Sequence, residues 1–160
     1  MYMEHVRIDP GQGHEAGRAL LSRMYSRYYG GQMPDILLEE GGKPYFATGH
    51  PHFSISHTKA HVFCVLSDTP VGIDAEEMDR QVDLRLADRI LSPAEKARYH
   101  WDVDKRAALL KMWVLKEADA KHTGKGIHGF PNKTDFDPND PRIQEIDGCY
   151  VVVIGGDYVV

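Results

Sequence analysis

Three apolar-rich runs, FSISH, HVFCVLS and VGIDAE, follow one another between residues 53 and 76 with only a few residues between them. A parallel pair needs a crossover of a dozen residues or more, so gaps this short make antiparallel pairing the default. FSISH alternates Phe53 and Ile55 with Ser54 and Ser56, the period of a half-buried strand. HVFCVLS is apolar at both parities, so that strand must be covered on both faces. Asp68-Thr69-Pro70 supplies the turn before VGIDAE, which reads as a third strand.

Helices flank this block. Over residues 14–29, Ala16, Leu20, Leu21, Met24, Tyr25 and Tyr28 share one helical face, and Gly30-Gly31 stops the run. Residues 82–91 carry Val82, Leu86, Ile90 and Leu91 at helical spacing, and Ser92-Pro93-Ala94-Glu95 is a capping-box signature. A longer helix is expected from about Asp104 to His122, ended by Gly124 and Gly126. Its centre, AALLKMWVL, is apolar nearly all round and belongs in a core. GGKPYF reads as a turn, residues 128–142 as loop, and CYVVVIGGDYVV as a hairpin turning near Gly155-Gly156-Asp157. Helix, strands, helices, strands in this order is an α+β chain with mostly antiparallel sheet.

Composition narrows the function. A net charge of −5 argues against a general nucleic-acid binder. No apolar run reaches membrane-spanning length, and MYMEHVRIDPGQGHE has no signal-type apolar stretch. Cys64 and Cys149 sit in strand-like apolar runs and read as buried free thiols of a cytoplasmic protein. Residues 85–111 hold seven basic side chains against four acidic, a surface suited either to solvent or to an acidic partner.

Two stretches carry candidate chemistry. In VGIDAE, Asp74 and Glu76 lie two apart and point to one face of a strand. Neighbouring carboxylates repel unless a cation stands between them, and Mg²⁺ is a natural occupant; an ordinary acidic strand end explains them as well. In WVLKEADAKHTGKG, Trp113, Glu117 and Lys121 recur every four residues on one helix face. Glu117 and Lys121 could form a surface pair. Yet the segment continues a core helix, and Lys116, Glu117 and Lys121 beside a core need a reason such as a phosphorylated ligand with its metal. A cluster of four histidines, His50, His52, His57 and His61, raises a histidine-based metal-binding module as a rival. His57 and His61 flank a turn, and His50 and His52 have no nearby cysteine, so the cluster breaks into unlike parts: His57 at a strand end, the other three as turn and surface residues.

VGIDAE followed by W-x-x-K-E-A-x-x-K-x-x-G-K-G resembles the 4′-phosphopantetheinyl transferase superfamily. GGKP, FSISHT and ILSPAE resemble its further segments in the same order, and Arg18 in GRALL matches an arginine of the surfactin-synthetase-activating type. Val114 departs from the small or hydroxylated residue usual after the tryptophan. The resemblance implies two similar α/β halves about a pseudo-twofold axis, here 1–76, binding coenzyme A, and 77–160, carrying the catalytic helix, with the site in the cleft between. It implies transfer of phosphopantetheine from coenzyme A to a serine of an apo acyl, aryl or peptidyl carrier protein, releasing adenosine 3′,5′-bisphosphate. Asp74, Glu76 and Glu117 would hold Mg²⁺, and Lys116 and Lys121 would neutralise phosphate. Arg18 and His57 would bind the 3′-phosphate, Lys43-Pro44 would line the adenine end, and Ser56 would be a further coenzyme A-binding residue. Glu117 is the candidate base, directly or through a water, with a metal-bound water as alternative. Glu95 is explained by its capping box, although the family would add it to the metal shell. Trp113 reads as core, and the basic 85–111 stretch as a docking surface for an acidic carrier. A chain that builds its own cleft is expected to act as a monomer. A catalytically idle coenzyme A-binding relative is the remaining alternative.

Overall fold

The computed structural model describes residues 1–125 and 134–157. Strand β1 (Tyr2–Arg7) leads into helix α1 (Gly13–Tyr28), the short pair β2 (Ile36–Leu38) and β3 (Pro44–Phe46), and the hairpin β4 (His52–His57) and β5 (His61–Ser67). Strand β6 (Val71–Glu77) follows, then a 3₁₀ turn at Leu84–Leu86, α2 (Ala87–Ile90), α3 (Pro93–Tyr99) and α4 (Lys105–Thr123), and finally β7 (Gln144–Ile146) and β8 (Cys149–Gly155).

Two antiparallel three-stranded sheets carry the architecture, ordered β1-β5-β4 and β6-β8-β7. In each, a strand, a helix and a hairpin follow one another, and the last strand takes the centre of the sheet. The period of two sorts every side chain. On β5, Val62, Cys64 and Leu66 face α1 and pack with Leu20, Leu21 and Met24. Phe63 and Val65 point the other way, onto Val71, Ile73 and Ala75 of β6 and Cys149 and Val151 of β8. The outer face of β8, with Tyr150, Val152 and Ile154, packs on Leu115 and Ala118 of α4. Four layers result, helix, sheet, sheet, helix. Both central strands are sealed on both faces, as the apolar run of HVFCVLS requires.

Pairing by proximity fails at one place. β5 and β6 are joined by a three-residue turn yet do not share a ladder; β6 pairs with β8 instead. Their apolar faces stack across the sheet–sheet interface, which buries more surface than an edge-to-edge ladder would. The closing hairpin is β7–β8, turning at Asp147, which has a φ of 50°, and Gly148; the expected second arm at 158–160 lies outside the described residues. The helix expected over 82–91 is shorter, and Leu86 stays exposed. The α3 capping box is present with both bonds, and α4 ends on Gly124 at φ 74°; the role given to Gly126 lies outside the described residues. Cys64 and Cys149 are buried free thiols. Among the described residues no helix is long and apolar enough to cross a membrane.

Candidate active site

The edge strands of the two sheets, β4 and β6, lie side by side without a backbone ladder between them. Side chains join them instead. Ser54 and Ser56, on one face of β4, accept the backbone N–H groups of Ile73 (3.0 Å) and Ala75 (3.1 Å). Donors that would be orphaned on a buried edge are thereby satisfied. Lys121 reaches into the same seam from α4. Its ammonium donates to the carbonyls of Ile55 (3.2 Å) and Ile73 (3.0 Å) and to Asp74 Oδ1 (3.1 Å). Glu117 therefore does not form the surface pair with Lys121 that spacing alone allowed.

Asp74 and Glu76 project from β6 toward α4. Gly72 lets the helix come close, since a Cβ there would meet the backbone of Ala118 and His122. A cavity of about 410 Å³ opens at the seam, lined by Ser56, His57, Asp74, Glu76, Arg80, Trp113, Glu117 and Lys121 among others. The expected acidic trio thus lines one wall system with Lys121. Trp113 does both jobs: it packs against the helical core and lines the cavity, so reading it as core alone was incomplete.

The electrostatics favour a cation. Burial pushes Asp74 above the usual carboxylate range, although Lys121 and the Ser56 hydroxyl (3.1 Å) pull it back. Its Oδ2 is buried with no hydrogen-bond partner. Glu117 is pushed up to about 7, first by burial and then by the charges of Asp74 and Glu76. Burial also raises Glu76, against the opposing pull of Arg80, which donates to it. Three acids that disfavour one another's charge, one with an unsatisfied buried oxygen, fit a hard divalent ion. Their oxygens do not converge within 4.8 Å of one another. Arg80 also engages the Glu76 carboxylate and so competes with an ion for it.

A second cavity of about 260 Å³ shares Ile55, Glu117 and Lys121 with the first and extends past Gly41, Gly42, Lys43 and Pro44. Lys43 donates to the carbonyls of His122 (3.1 Å) and Val71 (3.4 Å), and burial lowers its pKa. His57 is exposed and rests against Gly13 at the start of α1, where a Cβ would strike its ring. Arg18 is half-buried on α1 and lines neither cavity.

Lys116 and Glu95 stand elsewhere. Lys116 is 3% exposed and pairs with Glu95 at 2.8 Å, donating also to the Thr134 carbonyl at 2.7 Å. Glu95 accepts the Ser92 and Phe136 backbone N–H groups (2.8 and 2.6 Å) besides Lys116. The cap is real, and the same carboxylate anchors α3 to α4. His61 corrects the sequence reading outright: it is 6% exposed, not a surface residue, and lies between Glu77 and Asp147, each at 2.9 Å. Arg80 was missed, with no periodic signal to betray it. FSISH departs from the half-buried strand that its alternation predicts: its polar face is buried as well, with Ser54 and Ser56 5% and 4% exposed, because it meets β6 at the seam.

The model of the 4′-phosphopantetheinyl transferase superfamily matches residues 70–151, spanning β6, α4 and the β7–β8 hairpin. The chain is 32% identical over 126 residues to the 4′-phosphopantetheinyl transferase gsp of Aneurinibacillus migulanus, covering 71% of this chain and 51% of that protein. It is 36% identical over 116 residues to psf-1 of Bacillus pumilus (69% and 49%), and 36% over 114 residues to AcpT of Salmonella typhi (68% and 57%), both likewise named 4′-phosphopantetheinyl transferases. The chain spans about half the length of these curated relatives. On the family match, the identities and a β6–α4 site with the expected acids on one wall, the chain belongs to the 4′-phosphopantetheinyl transferase superfamily.

Proposed function

We propose that the chain transfers the 4′-phosphopantetheine arm of coenzyme A to a serine hydroxyl of an apo carrier protein in the cytoplasm, acting as a monomer. The observation that carries this reading is the meeting of Asp74, Glu76, Glu117 and Lys121 at one seam, continuous with the Gly41–Pro44 cavity. The shared strand order of the two sheets supports two pseudo-symmetric halves. The proposed division at 76/77 falls at the end of β6, whose ladder with β8 ties that strand to the second half.

Asp74, Glu76 and Glu117 would hold Mg²⁺, which when bound supplies charge neutralisation on the pyrophosphate oxygens. Lys121 adds positive charge beside them. Lys43 and Pro44 line the side on which the adenine end is placed, with His57 and, from outside both cavities, Arg18 toward the 3′-phosphate, and Ser56 a further coenzyme A contact at the seam. Lys116 would act on phosphate only through release from Glu95; its present contacts favour holding α4 in place. The serine oxygen forms a bond to the β-phosphorus as the bond to the leaving phosphate breaks, releasing adenosine 3′,5′-bisphosphate. Glu117, on the cavity wall, is the candidate to take the serine proton directly or through a water, with a metal-bound water as the alternative base. Positioning and charge do the rest.

Carrier docking is placed on the basic stretch 85–111. There Arg89 and Trp101 are exposed, and Leu84, just before the stretch, is also uncovered. Mixing the chain with apo carriers, coenzyme A and Mg²⁺ and weighing the carrier tests the reading. The expected result is one added phosphopantetheine mass, and no gain across a panel of carriers sinks it. Asp74→Ala is expected to fold and to lose transfer by at least ~100-fold, the scale of losing a charge-stabilising group.

A further inference from the structure

The same period-two sorting that builds the sheet–sheet core continues to its open end. There the inward positions stop being apolar. His61 of β5 continues the face of Phe63 and Val65, Glu77 continues that of Val71, Ile73 and Ala75, and Cys149 that of Val151. Glu77 and Cys149 are direct cross-strand partners. Among the described residues, this is the one place where three metal-ligating groups bring their atoms within 4.8 Å of one another.

We propose that His61, Glu77 and Cys149 form a Zn²⁺ site, separate from the acidic cavity and independent of the transferase reading. The donor set suits the ion: imidazole nitrogen, thiolate sulfur and carboxylate oxygen are its protein ligands, and three of them leave a fourth position for water. The geometry is close to what zinc demands. Cys149 Sγ lies 3.5 Å from His61 Nδ1 and 3.5 Å from Glu77 Oε2. A tetrahedron with zinc bond lengths has ligand–ligand edges of roughly 3.3–3.8 Å. His61 Nδ1 meets the other carboxylate oxygen, Oε1, at 2.9 Å, so completing the tetrahedron takes a turn of the Glu77 carboxylate that presents one oxygen to the ion, and a widening of about half an ångström.

The surroundings have the form of an outer shell. His61 Nε2 meets Asp147 Oδ2 at 2.9 Å, the carboxylate–histidine arrangement that fixes a tautomer and frees the other nitrogen for metal. Arg7 clamps Asp147 from outside with two bonds, 2.8 and 3.1 Å. The Thr58 hydroxyl orients Glu77 at 2.6 Å. All three ligands stand on strands, so no loop has to be ordered first. Binding displaces the thiol proton and any proton on Nδ1 to solvent. The ion would tie β5 of one sheet to β6 and β8 of the other.

The metal-stripped chain, residues 1–160, titrated with Co²⁺ as a spectroscopic stand-in, is expected to show a thiolate-to-metal charge-transfer band that saturates at one equivalent. Zn²⁺ is expected to bleach the band and to remain with the chain at one per molecule through gel filtration. Cys149→Ser, which changes one atom, should abolish the band and the retained zinc, while Asp74→Ala should leave both intact. The inference is overturned if wild-type chain shows no thiolate band. It is equally overturned if the band survives in Cys149→Ser, or if Asp74→Ala removes the zinc while Cys149→Ser keeps it.

Discussion

At the scale of single residues the site is governed by desolvated charge. Glu117 has its carboxyl pushed from an ordinary 4.5 to about 7, so between these values the folded chain holds a proton that the unfolded chain has shed. Stability of metal-free protein therefore falls as pH rises through that window. The expected outcome is a thermal midpoint that drops from about pH 5 to about pH 8, with a shallower drop in Glu117→Gln. Mg²⁺, by relieving repulsion among Asp74, Glu76 and Glu117, should flatten the wild-type slope. An unchanged slope in Glu117→Gln would assign the effect to another group. Much of this scale was legible in the sequence, because i, i+2 on a strand and i, i+4 on a helix fix which acids can share a wall. The partners of Lys116 were not. Two charges 21 residues apart look equally free, and only the fold shows that Glu95 and Lys116 neutralise each other inside it.

At the scale of elements, two contacts set where α4 sits. The first is its ion pair with α3. Both partners are nearly fully buried, so Lys116→Met strands Glu95 without its charge partner. A loss of roughly 3–5 kcal/mol is expected in denaturant unfolding, well beyond a surface pair. The second is the glycine step on β6. Gly72→Ala would press a methyl group into the backbone of α4 at Ala118 and His122, which no side-chain rotation relieves. The expected cost is about 1–3 kcal/mol, with the acidic cavity distorted, checked by urea melts alongside transfer assays. Strands with clear alternation and the capped helices were readable in advance. β1 and the three-residue strands β2, β3 and β7 were not, since such segments owe their state to the neighbour they pair with; the turn expected over GGKPYF gives way at Pro44–Phe46 to β3, paired with β2.

For the whole molecule, layering decides what faces outward. With α1 and α4 outside two stacked sheets, the stretch 85–111 turns Ala87, Ile90, Leu91, Leu109 and Leu110 into the core and leaves Leu86, Trp101 and Val103 uncovered beside its basic groups. If acidic carriers dock there, Arg89→Glu should raise the carrier KM by ~3–10-fold and weaken its salt dependence, with coenzyme A saturation unchanged. An unaltered carrier KM would move docking elsewhere. The mispairing of β5 with β6 belongs to this scale too: short turns favour hairpins locally, but only the full set of layers shows that stacking covers both strands. Lys121 closes the circle between scales. An ammonium has three hydrogens, and the carbonyls of Ile55 and Ile73 and the Asp74 carboxylate already take one each. A phosphate can claim a hydrogen only by releasing one of these. Substrate capture and slackening of the joint between the sheets are thus a single exchange, and a ligand that grips Lys121 harder must leave that joint looser.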